Sequence, residues 1–197
     1  MSINRATEIP TIDCELVTIV TDDGTEIALD TADEIKVEPQ IDTQEAVKLV
    51  VKGKLRAQKP ERATITGNKI TLSDNVFTPE LVKILQGGTI KYWTSAEQTA
   101  TQEDKTEFGI ASYEPPVTGK GEKLKPFKLK AYSAQYDSAG LIVNHECITY
   151  PNCKGTPIAL SAKDNEFRNV EYTIHSAPSK DEAPYKIDYL KELPKVQ

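Results

Sequence analysis

The chain has 197 residues, of which 38% are hydrophobic, and a formal net charge of −6. This length predicts one domain, so we expect residues 1–197 to fold as a single unit. No apolar run approaches the roughly 20 residues of a membrane helix, and the first ten residues lack the segments of a signal peptide. We therefore expect a protein that is made and kept in a cytoplasm and has no membrane partner. Overall acidity disfavours nucleic-acid binding by the whole molecule.

The charges are distributed unevenly along the chain. Residues 1–45 contain twelve acids and two bases, whereas residues 46–93 contain three acids and nine bases. These two blocks could pair within one fold or between two copies of the protein, and the sequence leaves both possibilities open. The three cysteines are an odd number spread through a long chain, which predicts free thiols.

Alternation of apolar and polar residues recurs along most of the chain and predicts half-buried strands. The first strands are expected at residues 12–20 and around Ile27 and Leu29, with a turn at 22–24. From Ile35 the odd positions are mostly apolar, with a pause at Gln44 and Glu45 and a resumption from Val47 to Ala57, which we interpret as one strand. Its opposite side would carry four cations, Lys48, Lys52, Lys54 and Arg56.

A hairpin is expected next, because a Gly67-Asn68 turn would place Ile65 opposite Ile70. One helix follows between two strands. Thr78 is at the position of an N-cap whose side chain accepts an amide hydrogen, Pro79 suits the first helical position, and Gly87 and Gly88 end the helix. The apolar spacing within this helix predicts one buried stripe.

Further strands are expected at residues 89–93, 108–113, 127–136, 141–150, 156–162 and 167–176. A turn at 137–140 would join two of them. Residues 94–107 and 115–126 have the composition of extended loops, and 178–197 that of a C-terminal tail whose possible anchors are Tyr185, Ile187, Tyr189 and Leu190. The fold class is mainly β: a sandwich or barrel-like arrangement with one short α-helix packed against the sheets.

Candidate sites for chemistry are few. His145, Cys147 and Cys153 have the residue types of metal ligands, but their spacing is loose and a fourth ligand is missing, so we expect no metal site. Glu171 and His175 lie on one strand face, but no nucleophile or pocket accompanies them. The sequence contains no phosphate loop and no nucleophile elbow. We expect no catalytic residues, no cofactor and no enzymatic activity.

Three segments are similar to a known family. Residues 73–90, SDNVFTPELVKILQGGTI, resemble the strand-helix-strand segment of major tail proteins from long-tailed bacteriophages and prophages of Gram-positive bacteria. The resemblance continues in the segments PNCKGTP at 151–157 and APYKIDY at 183–189. It spans about residues 35–192 and contains no catalytic signature.

The resemblance implies a structural virion protein whose copies form hexameric rings that stack into a hollow tail tube. Such a tube is the conduit through which viral DNA passes during ejection. The implied partners are further copies of the chain, the tape-measure protein, and the tail terminator and distal tail proteins at the two ends of the tube. The implied location is the virion tail, assembled in the bacterial cytoplasm.

The residues themselves add one hypothesis and two rivals. We expect Lys48, Lys52, Lys54 and Arg56 to contact acidic residues of a neighbouring copy. The first rival is a monomeric β-sandwich module that binds a ligand in a groove lined by aromatic residues. The second is a hydrolase that uses His175 or the residues around His145.

Overall fold

The computed structural model of the protein describes residues 10–29, 32–95, 98–101, 109–117, 123–160, 164 and 169–196. Within these ranges the chain forms thirteen strands and one α-helix. In chain order these are β1 (Thr11–Val20), β2 (Glu26–Leu29), β3 (Ala32–Gln44), β4 (Val47–Val51), β5 (Lys54–Lys59), β6 (Arg62–Asp74), α1 (Pro79–Gln86), β7 (Thr89–Ser95), β8 (Gln98–Thr101), β9 (Ile110–Glu114), β10 (Phe127–Tyr136), β11 (Ile142–Gly155), β12 (Val170–Ser176) and β13 (Lys186–Leu190). The mainly-β fold class is confirmed.

Eight strands form the main sheet, in the order β2-β1-β10-β11-β12-β6-β3, with β13 as a second neighbour of β11. Every recorded strand pair is antiparallel. Strand β7 pairs with β8 and β9 in a small second sheet, and β4 pairs with β5 alone. Antiparallel neighbours can be joined by short turns. The predicted turns at 22–24 and 137–140 are found and join β1 to β2 and β10 to β11.

The main core lies on one face of the large sheet. Its members are apolar side chains from the sheet strands together with three from the helix: Val17, Ile19, Leu29, Ile70, Leu72, Leu81, Val82, Leu85, Phe127, Leu129, Tyr150, Cys153, Val170, Tyr172 and Ile174. A smaller cluster on the opposite face contains Leu16, Tyr132 and Cys147, and Leu190 and Leu193 pack against it. The C-terminal segment therefore covers part of the outer face of the sheet.

Helix α1 rests against the end of β11 at very close range. A side chain at Gly155 would collide with Leu85, whose Cα would lie 2.5 Å and whose carbonyl oxygen 2.6 Å from the added carbon. Gln86, in the last turn, accepts a hydrogen bond from the backbone N–H of Ile158 at 3.0 Å. The expected packing of the helix on a sheet is thus found, and a glycine permits the close approach.

The ends of α1 show what each terminal residue contributes. Thr78 occupies the N-cap position and its carbonyl accepts the N–H of Val82 at 3.1 Å, but its side chain makes no capping hydrogen bond. The expected side-chain cap is therefore absent. Pro79 is the first helical residue, and Gly87, with φ at 82°, donates its N–H to the Lys83 carbonyl at 2.9 Å. Gly88 follows with φ at 99°.

The predicted hairpin at Gly67-Asn68 is wrong. These two residues are buried within the single long strand β6, where Gly67 pairs with Gln40 of β3 and Asn68 with Ser176 of β12. A Cβ at Gly67 would lie 2.5 Å from the Ser176 carbonyl oxygen, so the glycine serves a close approach of strands rather than a turn. The Asn68 side chain donates to Ser176 Oγ at 3.1 Å and to the Pro184 carbonyl at 2.9 Å.

The predicted single strand from Ile35 to Ala57 is also wrong, because it is three strands. Strand β3 ends at Gln44, and β4 and β5 form a hairpin whose two-residue connection is Lys52-Gly53. Both connecting residues have positive φ, 50° and 73°, as tight hairpin turns require. The apolar alternation continues through this turn, so periodicity alone did not reveal it.

Two strands were missed and one was predicted in error. Strand β8 lies in the segment expected to be an extended loop, and β13 lies in the expected tail and pairs with β11. Residues 156–160 of the predicted strand at 156–162 are not a strand; the side chain of Thr156 donates instead to the Thr173 carbonyl at 3.1 Å. Residues 102–107 of the predicted loop at 94–107 and residues 118–122 of the predicted loop at 115–126 lie outside the described residues.

Candidate interaction surface

The most exposed part of the described chain is residues 38–66, which we call the arm. It consists of the distal halves of β3 and β6 and the complete β4–β5 hairpin. Every residue of the arm is exposed except Ala46 and Ile65, which are half-buried. At its root, β3 and β6 shift register between the pairs Gln40–Gly67 and Ile41–Ile65, which leaves Thr66 as an extra residue. Such a bulge bends a strand pair and increases its twist.

The arm exposes large apolar side chains to an unusual degree. Six of them are between 42% and 66% exposed: Ile41, Val47, Leu49, Val50, Val51 and Leu55. A two-stranded hairpin is marginally stable in water when nothing covers it. Contiguous exposed apolar surface of this kind marks an interaction site.

A second bulge in the hairpin rearranges the predicted faces. Leu49 pairs with Ala57 but Val50 pairs with Leu55, so Arg56 is an extra residue. Residues directly opposite each other share a face. Lys54 therefore lies beside Val51, on the face of Val47 and Leu49, and Leu55 lies beside Val50 on the other face.

The expectation that Lys48, Lys52, Lys54 and Arg56 share one basic face is consequently wrong. Lys52 is in the turn and Arg56 is in the bulge, while Lys48 and Lys54 belong to opposite faces. The hairpin has both apolar residues and cations on each face. The hypothesis that these four cations contact a neighbouring copy is a separate matter and stays a prediction.

The bases of the arm are concentrated in one segment of it, residues 46–62. Residues 46–62 contain six bases and one acid, a balance of +5, so the rest of the chain carries −6 − 5 = −11. In the described part of the chain, no salt bridge involves Lys48, Lys52, Lys54 or Arg56. The acidic and basic blocks do meet in Glu38 and Lys69, whose charged atoms are 4.0 Å apart.

His145 is engaged in an ion-pair geometry with a carboxylate. Its Nδ1 lies 2.8 Å from Glu15 Oε2, and His145 is buried. Cys147 is on the same face, since His145 pairs with Ala134 and Cys147 with Tyr132.

Cys153 is on the other side of the sheet. A register shift between the pairs Leu129–Tyr150 and Phe127–Cys153 turns it into the main core, where Sγ donates to the Tyr150 carbonyl at 3.3 Å. Burial raises the pKa of the Cys153 thiol to about 12, which disfavours the thiolate that a metal needs. Among the described residues, no three His, Cys, Asp or Glu side chains are grouped to hold a metal ion.

His175 lies on the polar outer face of the main sheet, opposite Lys69 of β6 and Lys154 of β11. Glu171 lies four residues before His175 in the same strand and pairs with Ser73 of β6. The strand neighbours of His175 are thus two lysines, and the Glu171 carboxylate is not beside it to form the pair that a general base would need. The structure therefore does not bring Glu171 and His175 together as an acid–base pair, and it separates Cys153 from His145 and Cys147.

A cleft of about 600 Å³ lies between the β1–β2 turn and helix α1. Its walls combine Phe127, Ile27 and Ile84 with both signs of charge, and Lys125 Nζ lies 3.4 Å from Asp22 Oδ2 across its rim.

In the described chain, no helix is long and apolar enough to cross a membrane.

The C-terminal residues expected to be anchors divide into two groups. Leu190 is half-buried and packs against the outer cluster, whereas Tyr185, Ile187 and Tyr189 are 41%, 42% and 52% exposed. Among the described strands β13 pairs with β11 alone, so its outer edge is open. Alternation in the sequence KIDYL signals this strand, but a segment of five residues is too short to distinguish from a tail by pattern.

Comparison with known proteins yields structural likenesses only. No protein-family model matches the chain, and no curated protein matches it. The chain is similar to the tube-terminating cap of the anti-feeding prophage, with a TM-score of 0.42, 12% identity and coverage of 94% of this chain and 95% of that one. For the sheath–tube complex of the extracellular contractile injection system PVC in its extended state, the TM-score is 0.41 at 13% identity, covering 92% of each chain. For the anti-feeding prophage baseplate it is 0.38 at 8% identity, covering 93% and 97%.

Proposed function

We propose that the protein is the tail tube subunit of a bacteriophage or prophage tail, a non-enzymatic structural protein. Its copies form hexameric rings, and the rings stack into the hollow conduit for DNA ejection. The tape-measure protein occupies the lumen before DNA passes, and the tail terminator and distal tail proteins end the tube. The virion tail is its location, after assembly in the cytoplasm of a Gram-positive host.

The observation that carries this proposal is the arm. It holds six exposed apolar side chains, five of them on the two-stranded β4–β5 hairpin. The rest of the described chain, which we call the body, does not cover them. A chain with such a surface is expected to bury it against a partner. Because residues 46–62 of the arm are at +5 and the rest of the chain is at −11, a second copy of the same chain offers the complementary charge.

The placement of the three tail-protein-like segments supports the same proposal. Residues 73–90 contain α1, which packs on Gly155 of the segment 151–157. The segment 183–189 contains Pro184, whose carbonyl accepts a hydrogen bond from Asn68 at the root of the arm. All three segments therefore belong to the structure that holds the arm in position.

Electron microscopy of negatively stained, purified protein, combined with light scattering, tests the proposal. We expect six-fold rings or hollow tubes at micromolar concentration, and fewer of them when arm residues Leu49 and Leu55 are changed to Asp. Thr71→Asp, on the polar outer face of the main sheet, is the control and should still assemble. A protein that stays monomeric even with a preformed tail initiator would contradict the assignment.

The rival ligand-binding module is favoured by one observation, the cleft beside α1. Its walls include Phe127 and Tyr92, but both side chains are buried, 3% and 1% exposed, and thus offer little aromatic surface to a ligand. A compact monomer that binds a carbohydrate, and loses binding when Lys83 is changed to Ala, would support this rival instead.

A further inference from the structure

We propose that the β4–β5 hairpin of one copy docks on strand β13 of a second copy, by adding to the open edge of that strand. The inference rests on the proposed self-assembly and names the surface that receives the arm. We call this surface the β13 strip. It consists of Glu146, Tyr185, Ile187 and Tyr189.

The β13 strip lies on one face of the sheet. Tyr189 pairs with Glu146 and Ile187 with Ile148, and directly opposite residues share a face. Ile148 packs against the main core, so the strip is the exposed continuation of the core face. Tyr185 extends it, with its ring 6.4 Å from that of Tyr150.

Backbone and apolar chemistry both fit a β-hairpin as occupant. Strand β13 has unpaired donors and acceptors along its outer edge, because its recorded partner in the described chain is β11 alone. An extended strand that adds to such an edge satisfies them. The alternating Val47, Leu49 and Val51 of β4 present apolar side chains at the spacing of Tyr185, Ile187 and Tyr189.

Charge identifies the occupant as another copy of this chain. Glu146 stands within the β13 strip and forms no salt bridge with a described residue. Lys54 and Lys59 lie on the face of the hairpin that carries Val47, Leu49 and Val51, and they also lack a salt bridge within the described chain. With β4 next to β13, this anion and these cations lie on one face of the joined sheet with two strands between them, so they attract across the face rather than in direct contact.

Cysteine cross-linking between two differently tagged proteins tests the docking. One protein carries Leu49→Cys and the other Ile187→Cys, and the two are mixed under assembly conditions with a mild oxidant. We expect a disulfide-linked heterodimer in at least about tenfold higher yield than from the control pair Leu49→Cys and Lys128→Cys. Lys128 is exposed on the outer face of β10. Circular dichroism establishes that each variant is folded.

Charge exchange gives a second measurement. Glu146→Lys should weaken association about threefold to tenfold, and the added changes Lys54→Glu and Lys59→Glu should restore it. Rings or tubes without the specific cross-link and without this restoration would overturn the docking and leave the tube assignment intact. Specific cross-linked dimers that never form rings would support the docking and refute the tube assignment.

Discussion

The body and the arm of this protein use the same residue types for opposite purposes. In the body, Leu72 of β6 is fully buried, and in the arm, Leu49 of β4 is 56% exposed. Leu72 lies between Thr71 and Ser73, and Leu49 follows Lys48 and precedes Val50. The difference is that α1 covers the body face, whereas nothing in the described chain covers the hairpin. Apolar alternation therefore marks surfaces that must be buried, and the partner that buries them can be another molecule.

The largest expected effect compares these two leucines directly. Leu72→Ala removes core packing and should lower the free energy of unfolding of the dissociated protein by about 2–5 kcal/mol. Leu49→Ala should change it by less than about 0.5 kcal/mol and instead reduce assembly. Urea denaturation of the monomer and light scattering of the assembled protein measure the two quantities. A loss above about 2 kcal/mol for Leu49→Ala would mean that the arm packs on its own body.

The contact between α1 and β11 is the next place to test the body. Gly155→Ala forces the added methyl group into the backbone of Leu85, so it should destabilise the monomer by about 1–3 kcal/mol. The atoms in the way are the Cβ, Cα and carbonyl oxygen of Leu85, which alanine also has, so Leu85→Ala should not relieve the clash. The exposed neighbour Lys154→Ala is the control. A loss for Gly155→Ala no larger than that for Lys154→Ala would show that the helix does not rest on Gly155.

The boundary between body and arm is set by Asn68. Asn68→Ala removes the donor to the buried Ser176 hydroxyl and to the half-buried Pro184 carbonyl and should cost about 1–3 kcal/mol of monomer stability, measured by urea denaturation. The exposed Asn75→Ala is the matched control and should be neutral. Equal stability of the two variants would place the boundary elsewhere along β6.

The smallest expected effect concerns charge pairing in the body. Burial raises the pKa of Glu26, but hydrogen bonds from Thr18 at 2.6 Å and Lys130 at 3.0 Å, with the charge of Lys130, outweigh burial and hold the pKa below its ordinary value of 4.5. A lowered pKa in the folded state contributes stability above the ordinary value, and this is lost as the pH falls through the folded value.

Glu26→Gln should therefore reduce stability at pH 7 by less than about 1 kcal/mol, because the pair is partly exposed and screened. Urea denaturation at neutral pH and at a pH below the folded value measures the difference, which should vanish in acid. Glu61→Gln, at an exposed position of the arm, is the control and should be close to neutral at pH 7. A loss that persists in acid would assign Glu26 a packing role rather than an electrostatic one.

Sequence patterns predicted the elements whose signals are local. The helix from Pro79 to Gln86 and strand β10 from Phe127 to Tyr136 were found where proline, glycine and apolar spacing placed them. The turn at Lys52-Gly53 was missed because a lysine adopts positive φ there, which few residue types do and no spacing reveals.

The error at Gly67-Asn68 and the unpredicted position of Cys153 have a different origin. Gly-Asn is a favourable turn pair, yet here tertiary contacts decide, since Gly67 admits the Ser176 carbonyl and Asn68 bonds to residues 108 and 116 positions away. Cys153 changed face because of a bulge in β11, in which Asn152 has φ at 47°. A bulge moves every later side chain to the opposite face and leaves little trace in composition.

The two hydrogen bonds of the Asn68 amide also have a mechanical meaning. They join the arm root, the end of β12 and the loop before β13 at one buried point. A force applied to the arm is therefore passed to the centre of the main sheet and to the C-terminal segment at once. We expect the arm to be fixed rigidly at its root and to pass an applied force on to the main sheet, rather than to move as a flexible segment.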